Sequence, residues 1–330
     1  MKTRHLYGGI AVVSALMLSA CGATAPSNNS GEPSKSAPVQ VTVGALPGGD
    51  AAPVWIGKEK GFFADEGIDL TIKSVVGGAA AVPGVVSGTY TFGYSNIITV
   101  MIAAQKGIDI KYITSANAPN PDPPHSAGII VRADSPIKTL KDLAGKTVST
   151  NQVKNIGDIA ADCAVDAAGG DWASIKWVEV GIPEVEAAVE NKQIDAGITL
   201  SPYYVDSLSK GFRSISSPFY DCDKKMNISG WFATGDTIKN NPELVKKFAA
   251  AIEKSLEFSQ ANPDFVLKTL PTFTQLNADQ IKNTVLPHYP LTFDRAAMKK
   301  MVQASVKYGA MTPVANIDEF LDKVLPSSKK

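Results

Sequence analysis

The chain has 330 residues, 44% of them apolar, with 32 basic and 32 acidic side chains. That length is enough for two medium domains with buried cores. Zero net charge without a Lys/Arg cluster argues against nucleic acid as a partner, and no collagen-like, coiled-coil or fixed-period repeat body is present.

Residues 1–20 read as a targeting segment. Lys2, Arg4 and His5 give a basic start, and Leu6 to Ala20 is an apolar run too short and too small in residue type to span a membrane. The run ends in Leu18-Ser19-Ala20-Cys21-Gly22, which resembles a bacterial lipobox; the resemblance implies cleavage before Cys21 and a diacylglycerol on its sulfur. An ordinary signal peptide with a cysteine near its cut site is the other reading. Residues 21–39, rich in Ser, Asn, Gly and Pro, are expected to be a disordered tether, because they carry too little apolar surface to pack. Outside the cytoplasm Cys163 and Cys222 either form a disulfide or stay as two buried thiols, and both readings are open.

The stretch from Val41 to Thr71 carries the clearest structural signals. Val41 to Leu46 is strand-like, Pro47-Gly48-Gly49-Asp50 is a turn, and a helix follows with Asp50 as the expected N-cap and Pro53 in its first turn. The helix is expected to stop at Lys60-Gly61, and a strand follows from Ile68 to Lys73. A short helix from Gly77-Gly78-Ala79, strand Tyr90 to Tyr94, helix Asn96 to Gln105 and strand Ile110 to Thr114 continue the alternation, which predicts a mostly parallel sheet. Residues 116–126, dense in Pro and Asn, break it. A second series runs from Gly128 to Ile215, with a long helix from about Asn155 to Ala168. After a strand-like segment, Lys225 to Ala233, the chain is almost wholly helical: Pro242 to Gln260, Pro263 to Leu270, Ala278 to Val285 and Asp294 to Tyr308. Asn241 and Asn262 precede the prolines as N-caps. Helices without strands need a sheet to cover, so these are assigned to the first unit. The expected organisation is α/β with a discontinuous lobe 1 (40–120 and 228–330), a lobe 2 (121–227) and two crossovers.

Four segments carry a family resemblance: PVWIGKEKGFFADEGIDLTI, GVVSGTYTFGYSNIITVMIAAQKGIDIKYI, SPIKTLKDLAGKTVST and VEAAVENKQIDAGITLSPYYVD. Together, over about residues 40–260, they resemble the solute-binding proteins of nitrate, sulfonate and taurine class ABC importers, a group that includes binders of thiamine-pyrimidine precursors. The resemblance implies a two-lobed periplasmic-binding-protein (venus flytrap) fold without catalysis and without a cofactor. It also implies a monomer that takes a small-molecule ligand in its cleft and delivers it to an ABC permease and its ATPase. With the lipobox, it implies attachment by lipid to the outer face of the cytoplasmic membrane.

Ligands of such proteins lie between the lobes, at strand ends and helix N-termini. From lobe 1 this nominates Pro47, Gly48, Asp50, Ala51, Ala52, Gly78, Ala79, Tyr94, Ser95 and Asn96. From lobe 2 it nominates Thr150, Asn151, Lys154, Asn155, Gly181, Ile182, Thr199, Ser201 and Tyr203. The glycines are equally explained as turn formers and Ser95 and Asn96 as caps. Thr150-Asn151-Gln152 stands where relatives often carry a Gly-Ser pair. Lys154, the only basic residue in these turns, could pair with an anion or stay solvated. Trp55 and Trp231 are expected in the core, with Tyr94 and Tyr203 the better candidates for cleft walls.

Enzyme signatures are weak. Gly145-Lys146-Thr147 imitates the end of a phosphate loop, but Leu140 holds the place of its first glycine. No GxSxG, HExxH or CxxC occurs, and beyond the targeting segment only His125 and His288 remain, so neither a metal site nor a hydrolytic triad is supported. A pyrimidine synthase shares this fold in fungi, but its cysteine-rich CCCFC-like motif is absent. A sulfonate, nitrate or taurine-like anion is the first ligand expectation, because several helix N-termini converge. A pyrimidine, or an aromatic heterocycle or carboxylate, is the second. If Asp50 faces the cleft instead of capping its helix, a ligand with a donor or positive group is favoured.

Overall fold

The computed structural model describes residues 37–326; the expected targeting segment with Cys21, most of the expected tether and residues 327–330 lie outside the described residues. Strand β1 (Val39–Ala45) leads through a 3-10 turn (Gly49–Ala51) to α1 (Ala52–Glu59), α2 (Phe62–Asp65), β2 (Ile68–Ser74), α3 (Gly78–Val86), β3 (Phe92–Asn96), α4 (Ile97–Gln105) and β4 (Ile110–Asn117). The second series is β5 (Ala127–Val131), β6 (Thr147–Thr150), α5 (Ile156–Ala167), β7 (Lys176–Glu179), α6 (Val185–Glu190), β8 (Ala196–Leu200), α7 (Tyr203–Ser209), β9 (Arg213–Ser216) and α8 (Pro218–Cys222). The chain then returns with β10 (Ser229–Thr234), α9 (Gly235–Asn240), α10 (Pro242–Ala261), α11 (Pro263–Thr269), α12 (Ala278–Lys282), α13 (Arg295–Lys307) and α14 (Ile317–Val324).

These elements build two five-stranded sheets, in the orders β2-β1-β3-β10-β4 and β7-β6-β8-β5-β9. One strand in each opposes its neighbours: β10 is antiparallel to β3 and β4, and β5 to β8 and β9. Both are the first strands after a crossing between sheets. The chain leaves β4 at Asn117, its carboxyl end, and enters β5 at Ala127; it leaves β9 at Ser216 and enters β10 at Ser229. A strand that starts at the crossing edge must run away from it, while its neighbours run toward it. The carboxyl ends of the remaining strands therefore all face the gap between the lobes, where α/β sheets hold ligands.

The interior strands β3, β10, β5 and β8 are buried almost throughout, whereas β2, β7 and β9 at the sheet edges are partly exposed and more polar. Val43, Phe92, Trp231, Phe248 and Ile252 form one layer of lobe 1, with Phe92 stacked on Phe248 at 4.0 Å. Val148, Ile198 and Ala161 pack one face of lobe 2, and Ile130, Val185 and Tyr204 the other. A further cluster joins the lobes, since Ile156 and Ile159 of α5 pack with Ile98, Met298 and Met301 of lobe 1.

Some expectations need correction. The helix expected over 278–285 ends at Lys282, and residues 283–289 follow as a strap outside any helix. Asn241 and Asn262 hold the N-cap places without a side-chain cap bond. Asp50 is not the cap of α1: Ala51 occupies that place, and the Asp50 carboxylate is drawn off by a non-local partner. Of the two readings left open for the cysteines, the disulfide holds: Cys163 and Cys222 are bonded, linking α5 to the end of α8.

Candidate functional site

The turn after β1 brings Pro47, Gly48 and Asp50 to the carboxyl edge of sheet one, half-buried. Ala51 and Ala52 lie in the core and present no side chain to a ligand. Asn117 Nδ2 donates to Asp50 Oδ1 at 3.0 Å. The Tyr94 hydroxyl donates to Asn117 Oδ1 at 3.3 Å, and Ser229 Oγ bridges that oxygen and the Tyr94 hydroxyl, the latter at 2.7 Å. Because Asn117 Oδ1 receives hydroxyls, its amide nitrogen must be the end that faces the carboxylate. Burial pushes the Asp50 carboxyl up to about 6, with the Asn117 donor pulling the other way. The Tyr289 hydroxyl packs beside this group but donates to the Gly49 carbonyl at 2.6 Å.

Gly78 and Ala79 open α3, whose N-cap, Gly77, offers no side chain. Ser95 lies directly behind: a Cβ at Gly78 would stand 2.6 Å from Ser95 Oγ, so only glycine lets the helix end and the strand end meet. Ser95 is fully buried, and among the described residues its hydroxyl has no partner. Asn96 caps α4 by accepting from the Thr99 amide at 3.0 Å.

In lobe 2, Thr150 ends β6 and Thr199 lies near the end of β8; both are buried, and both hydroxyls lack a partner among the described residues. A Cβ at Gly157, in the first turn of α5, would stand 2.4 Å from Thr150 Oγ1. Asn155 caps α5 in a reciprocal box with Asp158 and also donates through Nδ2 to Thr99 Oγ1 of lobe 1 at 3.1 Å. The N-terminus of α5 is thus satisfied by a carboxylate and has little left for an anion. Lys154 Nζ donates to the Tyr308 carbonyl of lobe 1 at 2.9 Å. Asn151 and Gly181 are exposed, and Ile182, half-buried, opens a 3-10 turn. Ser201 Oγ accepts from the Val285 amide at 2.7 Å, so the strap reaches lobe 2; Asn283 Nδ2 also donates to Asp206 Oδ1 at 2.7 Å. Tyr203, half-buried, starts α7 beside this contact.

The structure therefore brings together Asp50 with Tyr94, Gly78 with Ser95, and Thr150 with the start of α5. Trp55 is stacked on Phe273 at 4.4 Å and Trp231 is 1% exposed, so both belong to packing. His125 contacts the Asn120 carbonyl of its own loop and the Tyr220 ring, and His288 contacts Gln260. Sequence reasoning missed Asn117 because its strand was expected to stop at Thr114, which left Asn117 in the proline loop, and missed Ser229 and Tyr289 because their partners lie 135 and 240 residues away. A recess of about 590 Å3 lies elsewhere, at the two crossovers, between Pro119, Lys225 and Arg295. Among the described residues no group of three or more His, Cys, Asp or Glu side chains is placed to hold a metal ion.

Comparison with known proteins settles the family, since the NMT1/THI5-like description matches residues 49–265. The chain belongs to the NMT1/THI5-like family. This NMT1/THI5-like chain is 25% identical over 281 residues to the riboflavin-binding protein RibY of Chloroflexus aurantiacus, covering 80% of the chain and 76% of RibY. It is 24% identical over 241 residues to the 4-amino-5-hydroxymethyl-2-methylpyrimidine phosphate synthase THI11 of Saccharomyces cerevisiae, covering 69% and 68%. Its fold matches that of the periplasmic aliphatic sulphonate binding protein SsuA of Escherichia coli with a TM-score of 0.68 at 18% identity, covering 82% of the chain and 92% of SsuA. The fold is that of the periplasmic binding proteins.

Proposed function

We propose that the chain is an extracytoplasmic receptor that captures a small organic solute between lobe 1 (40–120 and 228–330) and lobe 2 (121–227). It delivers that solute to an ABC permease and its ATPase. In this reading it acts as a monomer, held at the outer face of the cytoplasmic membrane by a lipid on Cys21, and turns nothing over. The observation that carries the reading is the set of buried hydroxyls of Ser95, Thr150 and Thr199, which lack partners among the described residues. They sit at the carboxyl ends of β3, β6 and β8 in opposite lobes. A buried hydroxyl without a partner costs about 1–3 kcal/mol; Ser149 and Ser259 also lack one, but Ser95, Thr150 and Thr199 cluster toward the strand ends that face the gap, which supports a solute bound there. Capture then follows from closure, because a solute touching both lobes favours the form in which they meet.

The family and the binding-protein fold support the receptor reading. The yeast relative keeps the synthase alternative in play, and the missing CCCFC-like motif speaks against it. Thermal melting against sulfonates, nitrate, aromatic carboxylates, pyrimidines and riboflavin tests the proposal. A solute at 100 times its dissociation constant stabilises by about 2.7 kcal/mol. A melting shift with the solute recovered unchanged supports a receptor; chemical conversion of the solute would sink it.

A further inference from the structure

We propose that Asp50 is the acceptor for a nitrogen-borne hydrogen-bond donor on the solute, held in place by Asn117, so that the solute class is one carrying an N–H group and not a bare oxyanion. This rests on the receptor reading and narrows its ligand.

The Asp50 carboxylate is free for such a role because its local uses are vacant. It makes no cap bond to the 3-10 turn it sits in or to α1. Its Oδ1 receives Asn117 Nδ2, and among the described residues no donor reaches Oδ2. The neighbouring phenols are committed elsewhere: Tyr94 donates to Asn117 Oδ1 and Tyr289 to the Gly49 carbonyl. Among the described residues no Lys, Arg or His is paired with Asp50, and Lys154 is spent on the Tyr308 carbonyl. A carboxylate in this position repels an oxyanion and rewards a donor. Asp50 lies in a half-buried turn at the strand ends that face the gap, which is where the proposal places the solute.

Asn117 acts as the positioning residue. It is the last residue of β4 before the first crossing, and Ser229, against its Oδ1, is the first residue of β10 after the second. The carboxylate is thereby aimed by a pair of side chains at the roots of both crossovers, and its orientation follows the hinge.

The test is titration calorimetry of the whole chain with cytosine (ring N–H and amino group), taurine (amino group and sulfonate) and ethanesulfonate (sulfonate alone), from about pH 5 to about pH 8. At neutral pH cytosine or taurine should bind at least roughly tenfold more tightly than ethanesulfonate, and Asp50→Ala should remove roughly tenfold or more of that affinity. Binding should weaken as pH falls through about 6, where Asp50 takes up its proton. Asn117→Ala should move that midpoint upward, since its donor holds the carboxyl down; a merely structural role for Asn117 would leave the midpoint in place. Tight ethanesulfonate binding that Asp50→Ala leaves unchanged overturns the ligand inference while keeping the receptor. Silence of every probe counts against both.

Discussion

The ammonium of Lys154 donates to the Tyr308 carbonyl at 2.9 Å, tying the loop before α5 in lobe 2 to the end of α13 in lobe 1. Around it, Lys307 pairs with Asp166 at 2.6 Å, the Tyr308 hydroxyl donates to the same carboxylate at 3.0 Å, and Trp172 meets Tyr308 edge-on at 4.8 Å. All of these contacts cross from one lobe to the other, so in the proposed receptor they count toward the closed form. Lys154→Ala should therefore lower solute affinity by roughly threefold to tenfold through a smaller closed population, with the melting temperature of the solute-free chain little changed. Calorimetric titration of the two proteins checks this, and equal affinities would remove Lys154 from the closure account.

The hydroxyls of Ser95 and Thr199 should reveal themselves by opposite effects on stability and binding. Ser95→Ala and Thr199→Val each delete a buried group with no partner among the described residues, so the solute-free protein should keep its stability or gain up to about 1 kcal/mol. Solute affinity should fall at the same time. Denaturant melts with and without solute measure both quantities; loss of stability without loss of affinity would make these hydroxyls structural.

Cys163 and Cys222 close a loop with a sequence separation of 59. A loop of that length gives about 4 kcal/mol in the chain-entropy picture, so Cys163→Ser with Cys222→Ser should lower the urea midpoint clearly. Thiol titration of denatured Cys21→Ser protein should find no free thiol without reductant and two with it.

Asp162 gives stability an unusual pH slope. It is 2% exposed, accepts from Trp177 Nε1 at 3.0 Å and has Asp158 and Lys154 nearby, and burial pushes its carboxyl from 3.8 to about 7. Between those values the folded chain holds a proton that the unfolded chain has lost, so stability falls as pH rises from about 4 to about 7. Asp50 and Asp158 are shifted the same way. Asp162→Asn should raise stability near pH 8 by on the order of 3 kcal/mol and flatten the slope. Urea melts across that range check it, and an unchanged slope would exclude Asp162 as its source.

Much of the fold was legible because it rests on local signals. Gly61, with φ of 80°, ends α1 where a glycine stop was expected, and Asn96 caps α4 with its own side chain. Pro242 and Pro263 open their helices. What escaped depends on partners far along the chain. Asp50 looks like a cap in sequence, but an amide 67 residues away claims its carboxylate. Ser229 and Tyr289 join the same corner from 135 and 240 residues away from their partners Tyr94 and Gly49. The helical pattern expected to run on to Val285 stops after Lys282, where Ser201 takes the Val285 amide and Asp206 the Asn283 side chain.

The most direct measurement of the central claim is calorimetric titration of the intact chain with the solute that most raises its melting temperature, followed by recovery of that solute. The account predicts saturation at one solute per chain, loss of affinity in Asp50→Ala, and a solute returned chemically unchanged. Saturable binding that survives Asp50→Ala together with the Ser95 and Thr199 variants, or a solute returned as product, would contradict it.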